Sequence, residues 1–141
     1  MSTISLQRGH TIRSHTAGEI LEAWGPSREA CLEEAVLALV DSIATVEQVR
    51  EWWHREVLLA GTDEEVLVGL LEEVICHLDS DAVPVLALVH PREDGMLVHL
   101  WLTDLHRVMP IGVLPKGVSS SQLGFRQQEA GRWRCTVSID R

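Results

Sequence analysis

The chain lacks most of the features that would assign it to a common function class at once. No apolar run approaches the ~20 residues of a membrane span, and no signal-peptide core opens the sequence. The expected compartment is therefore the cytoplasm, with no membrane partner. Basic residues are scarce: 12 Lys and Arg stand against 21 Asp and Glu, for a formal net charge of -9. That balance excludes a broad nucleic-acid face, which needs clustered Lys and Arg. It leaves room for a local pocket or for a partner that is itself basic. Cysteine is sparse too. Cys31, Cys76 and Cys135 form an odd set without CxxC spacing; each falls inside an expected helix or strand and is read as a small buried hydrophobe in a reducing compartment. There is no P-loop, no GxGxxG after a strand, no HExxH and no GxSxG. None of the seven histidines pairs with another at the i, i+4 spacing that puts two rings on one helix face. No internal repeat or low-complexity linker interrupts the chain.

What is present describes a folded domain. At 141 residues and 45% apolar composition, the chain has the length of about one domain and can bury a core without staples. The organising stretch runs from His15 to Asp41. A short strand, Glu19 to Trp24, stops at Gly25-Pro26, because Pro26 has no amide proton for a ladder. Ser27 then offers an N-cap, and Glu29 lies where the helix dipole favours negative charge. Leu32, Val36, Leu39, Val40 and Ile43 recur at spacings of three and four, which predicts a helix with one stripe facing a core.

The rest of the chain divides at its turn residues. Residues 1–8 are polar and expected to be flexible; Gly9 to His15 alternates weakly as a first strand. Arg50 to Leu59 is expected as a strand ended by Gly61. Thr62-Asp-Glu-Glu65 is a capping-box sequence opening a second helix to Leu78, with Leu67, Leu70, Leu71, Val74, Ile75 and Leu78 on one face. Val83 to His90 and Met96 to Leu102 flank a turn at Asp94-Gly95. Met109 to Pro115 is expected as a connection. Lys116 to Gln128 and Trp133 to Asp140 form a last hairpin, and the final strand alternates most cleanly of all. The expected fold is a single α+β domain over residues 9–141, with about six or seven strands in one mixed or antiparallel sheet and two amphipathic helices packed on one face. Long βαβ alternation is missing, which argues against a doubly wound nucleotide fold.

The residues alone point to little chemistry. His54, His77, His90, His99 and His106 fit polar positions at strand or helix edges better than ligand positions. Ser119-Ser120-Ser121 fits a polar strand face better than an anion site. Cys31 sits mid-helix in apolar surroundings that would raise its pKa. Asp140 ends the alternating strand on the face opposite Ile139, where it can meet other strand ends.

A family resemblance adds to these readings. His15-Thr16-Ala17, then Gly25, then SREACLEEAVLALVD resembles the archease family, whose members open with an H-T-A-D strand, a glycine turn and a helix of the form LEEAFExAALALFD. GTDEEVLVGLLEEVICHLDSD resembles that family's second helix. Lys116-Gly117-Val118 falls where archeases carry K-A-x before T-Y-H-D-M, and Gly131-Arg132-Trp133 followed by Asp140 resembles their closing hairpin. The resemblance implies a non-enzymatic accessory protein that promotes guanylylation and turnover of a GTP-dependent RNA ligase in tRNA splicing and RNA repair. It further implies a calcium-type divalent cation held by carboxylates, as hard cations require.

Several of the implied ligand positions have changed in this chain. The acidic residue before the histidine is Ser14, the aspartate of H-T-A-D is Gly18, and the aspartate after the turn glycine is Pro26. T-Y-H-D is replaced by Ser119-Ser120-Ser121-Gln122. Asp140 remains as a metal-ligand position, with His15 and Lys116 as further functional positions, so the expected metal site is degenerate. Glu19 neighbours Gly18, but one residue along a strand is the other face. Two other function classes stand beside this one. The first is an acidic protein-interaction or chaperone-like module without a metal. The second is a small phosphate-binding enzyme using His15, Lys116 and Asp140.

Overall fold

The computed structural model describes residues 7–15, 18–46 and 49–141. Ser27 starts the helix around which the chain packs: its hydroxyl accepts a hydrogen bond from the Ala30 amide at 3.1 Å. This helix, α1 (Arg28–Asp41), buries Ala30, Cys31, Leu32, Glu34, Ala35, Val36, Ala38, Leu39 and Val40. The sequence predicts one apolar stripe; the structure covers the helix on nearly every side. The reason is its position. It packs against β2 (Gly18–Gly25) and β5 (Ala82–Arg92), which belong to different sheets, and also against the second helix, α2 (Asp63–Asp79). A helix that is apolar all round is a buried one.

The capping box of α2 is present. The Glu65 amide donates to Thr62 Oγ1 at 3.2 Å, and the Thr62 amide donates to Glu65 Oε1 at 2.9 Å. The bond from the Thr62 amide holds the Glu65 carboxyl below its ordinary range, because it favours the ionised form. Val66, Leu67, Leu70, Leu71, Val74, Ile75 and Leu78 form the buried stripe. Cys76 follows Ile75 by one residue, a rotation of about 100°, and is exposed, so the expectation of three buried cysteines holds for Cys31 and Cys135 alone. A hydrogen bond with Cys31 and burial push the Cys135 thiol well up, which leaves it unreactive.

The strands number nine among the described residues, all paired antiparallel, and they divide among three sheets. One has the order β1 (Gly9–His15), β2, β9 (Trp133–Asp140), β8 (Gly117–Gln127); a second has the order β4 (Trp53–Leu59), β6 (Gly95–Asp104), β5. In the third, β3 (Ala44–Thr45) pairs with β7 (Met109–Pro110). The α+β class is as expected, whereas a single sheet of six or seven strands is not what forms. Alternation along a strand assigns its faces but not its neighbours, and α1 touches both large sheets. Within the expected connection Met109 to Pro115, β7 and the bond from the Ile111 amide to the Ile43 carbonyl at 2.9 Å tie the segment to the end of α1. The strand expected from Arg50 begins at Trp53.

The N-terminal stretch expected to be flexible is residues 1–8. Residues 1–6 lie outside the described residues, but Arg8 is anchored: Nε donates to Glu34 Oε2 and Nη2 to Glu33 Oε1, both at 2.7 Å. Glu33 also accepts from the Val89 amide at 2.9 Å, so α1 occupies the free edge of β5. Among the described residues no helix is long and apolar enough to cross a membrane.

Candidate functional site

Strand register gathers the sequence-chosen residues at one end of the four-stranded sheet. His15 of β1 pairs with Gly18 of β2, Glu19 pairs with Ile139, and Gly117 of β8 pairs with Asp140 at the end of β9. Lys116 stands immediately before Gly117, and its amide donates to the Asp140 carbonyl at 2.6 Å. The backbone positions of Ser14, His15, Gly18, Lys116 and Asp140 therefore converge; of His15 only the backbone is described, and Thr16-Ala17 lie outside the described residues. Lys116 and Asp140 are exposed.

Pro26 is not part of this end. It follows Gly25, at the opposite end of β2 from Gly18. Eight strand residues at about 3.3 Å each put the two roughly 25 Å apart. Of the implied ligand positions Ser14, Gly18, Pro26 and Asp140, Pro26 therefore stands apart from the other three, at the turn into α1.

The faces decide what Asp140 can meet. Cys135, Val137 and Ile139 point to the core, so Asp140 shares the outward face with Ser138, Thr136 and Arg134. Glu19, opposite Ile139, falls on the core side, where Arg141 Nε donates to its Oε1 at 2.5 Å. Arg141 also donates to the Val113 carbonyl at 2.6 Å and to Ser42 Oγ at 2.8 Å, tying it to the C-cap of α1. On the outward face the next carboxylate is Glu22, buried and paired with both Arg13 and Arg134. What lies near Asp140 on that face is a group of hydroxyls: Ser121 Oγ is 3.0 Å from Ser138 Oγ and accepts from Ser119 Oγ at 3.3 Å.

A calcium-type ion takes six to eight oxygen ligands, with several carboxylates among them. The donor set here is one exposed carboxylate and neutral hydroxyls, with a lysine beside it and the neighbouring carboxylates already matched to arginines. These residues do not fit a hard divalent cation. Among the described residues, no three His, Cys, Asp or Glu ligand atoms gather around Asp140.

A cleft of about 460 Å³ lies elsewhere and contains neither Lys116 nor Asp140. In it Arg107 pairs with Glu51 at 3.3 Å, and His106 Nε2 lies 3.5 Å from Asp81 Oδ1. A different cluster escaped the sequence reading altogether. His54 and His99, read as separate polar positions, meet at 2.8 Å on the outward face of the three-stranded sheet. Their spacing of 45 residues carries no local signal; parity placed each on a polar strand face, but only the pairing of β4 with β6 makes them neighbours.

Comparison with known proteins is consistent across three measures. The model of the Archease protein family matches residues 10–140. A probable protein archease of Mycobacterium tuberculosis is 37% identical over 134 residues, spanning 94% of this chain and 74% of that protein. The solution structure of Methanobacterium thermoautotrophicum protein 1598 superposes with a TM-score of 0.72 at 18% identity, covering 94% of this chain and 99% of that one. The crystal structure of an archease, described as a possible chaperone, from Thermotoga maritima gives 0.69 at 18% identity, covering 92% and 94%. At that level of identity the two structures establish the fold.

Proposed function

Because the chain belongs to the archease family, we propose that it is an accessory protein that activates a GTP-dependent RNA ligase in tRNA splicing and RNA repair. In this reading it promotes guanylylation and turnover of the ligase and performs no chemistry alone. The observation that carries the reading is the family match across residues 10–140, together with the meeting of Lys116 and Asp140 at one sheet end. The net charge of -9 suits docking on a basic, RNA-binding enzyme. The divalent site is degenerate: the action rests on Asp140, Lys116 and His15 rather than on a carboxylate cage.

A second reading, an acidic interaction module without chemistry, is favoured by the same donor set, which leaves Asp140 without a second free carboxylate on its face. Both readings require a protein partner.

The direct test is multiple-turnover joining of RNA ends, a 3′-phosphate or 2′,3′-cyclic phosphate to a 5′-hydroxyl, by the host's GTP-dependent ligase with and without this protein. The expected result is an increase in turnover of about tenfold or more, equivalent to lowering the limiting barrier by ~1.4 kcal/mol. Equal turnover in both mixtures, with an active ligase and a folded sample, overturns the proposal.

A further inference from the structure

We propose that the outward face of the three-stranded sheet binds a zinc-class divalent cation through His54, Glu56 and His99. The register of β4 on β6 sets Glu56 opposite His99 and His54 opposite Trp101, so the three side chains share one face. The other face of β6 carries Val98, Leu100 and Leu102 into the core. His54 Nε2 lies 2.8 Å from His99 Nδ1, Glu56 Oε2 lies 3.6 Å from that same nitrogen, and the three ligand atoms fall within 4.8 Å of one another.

These separations suit a tetrahedral ion with small adjustment. At Zn–N distances of about 2.0–2.1 Å, two nitrogens at the tetrahedral angle stand roughly 3.3 Å apart. The imidazoles need to separate by about half an ångström, a modest rotation for side chains on an open face. At present one ring N–H donates to the bare nitrogen of the other ring. On metal binding that proton moves to the far nitrogen of its own ring, so both facing nitrogens are free and no net charge is lost.

The donor set selects the class of ion. Two imidazoles and one carboxylate match zinc and its transition-metal neighbours, whereas calcium and magnesium require oxygen throughout. Three protein ligands leave one position for water or for His90, whose ring meets His99 edge-on with centroids 5.5 Å apart. Trp101, with its centroid 5.0 Å from that of His54 and 6.0 Å from that of His99, packs beside both rings and limits their orientations. The site is distinct from the sheet end that holds Asp140, and it does not depend on the function proposed there.

Zinc chloride titrated into the chelator-stripped protein, followed by calorimetry, tests the assignment. The expected result is one ion per chain. His99→Ala should weaken binding by at least the ~10-fold that changes in outer partners alone produce, and the nearly isosteric Glu56→Gln should weaken it without disturbing the fold. His106→Ala should bind as the native protein does. Equimolar Cu²⁺ should quench Trp101 fluorescence in the native protein and not in His99→Ala, read as the difference from a Trp101→Phe protein. Failure to retain zinc, or retention undiminished in His99→Ala and Glu56→Gln, overturns the proposal.

Discussion

A Leu39→Ala protein will unfold at a lower urea concentration, with a loss of about 3 kcal/mol and an unchanged dependence on denaturant. Leu39 is fully buried on α1, and α1 is held between β2 of one sheet and β5 of another, with α2 also against it. Three sets of neighbours cannot collapse together onto the missing isobutyl group, so most of the cavity remains and the cost falls well inside the range of ~2–5 kcal/mol for such truncations. The melting temperature should fall by roughly 10 °C in a domain of this size. A loss under about 1 kcal/mol would contradict the enclosure of Leu39 between the two sheets.

Gly95→Ala should be nearly as damaging although it removes nothing. Gly95 follows the two-residue tip Glu93-Asp94 and pairs with Arg92 across the hairpin. Its φ is +145°, and an added Cβ would stand 2.3 Å from the Leu59 carbonyl oxygen at the end of β4. Both the backbone conformation and the close approach require glycine. The expected cost is roughly 2–4 kcal/mol, by strain and by displacement of β4 from β6. Because that pairing brings His54 to His99, the same variant should also bind zinc more weakly. Thermal unfolding within ~0.5 kcal/mol of the native protein would contradict this packing.

Local signals in the sequence were the most legible. Ser27 and the Thr62–Glu65 box are caps because their side chains act within three residues, and the alternation from Trp133 to Asp140 put Asp140 on the outward face. Non-local pairing was not legible. The apolar positions of α1 are consistent with burial, yet nothing in them says that two sheets share the helix. The position of Glu34 on α1 carries no such signal either. Its burial depends on Arg8 and on His10, whose Nδ1 lies 2.8 Å from Glu34 Oε1, across 24 residues. Cys76 was misplaced because a residue next to an apolar stripe differs from one within it by a single helical step.

The candidate site divides in the same way. The fold places Lys116 and Asp140 together through the β8–β9 ladder, which the hairpin pattern implied. It separates Pro26 from them by the length of β2, because neighbours in a family motif need not be neighbours at a strand end. The pairing of His54 with His99 depends on β4 lying beside β6 rather than beside its sequence neighbours, and no turn residue encodes that choice.

The most direct measurement is multiple-turnover ligation by the host's GTP-dependent RNA ligase with the native protein, with Asp140→Ala and with Lys116→Ala, each checked for native circular dichroism. Asp140 is exposed and terminal to its strand, so its removal should cost under about 0.5 kcal/mol of stability. Stimulation should fall at least about tenfold in Asp140→Ala relative to the native protein, and a calcium chelator should change nothing. Stimulation undiminished in both variants would contradict a working site at this sheet end and leave docking as the whole activity.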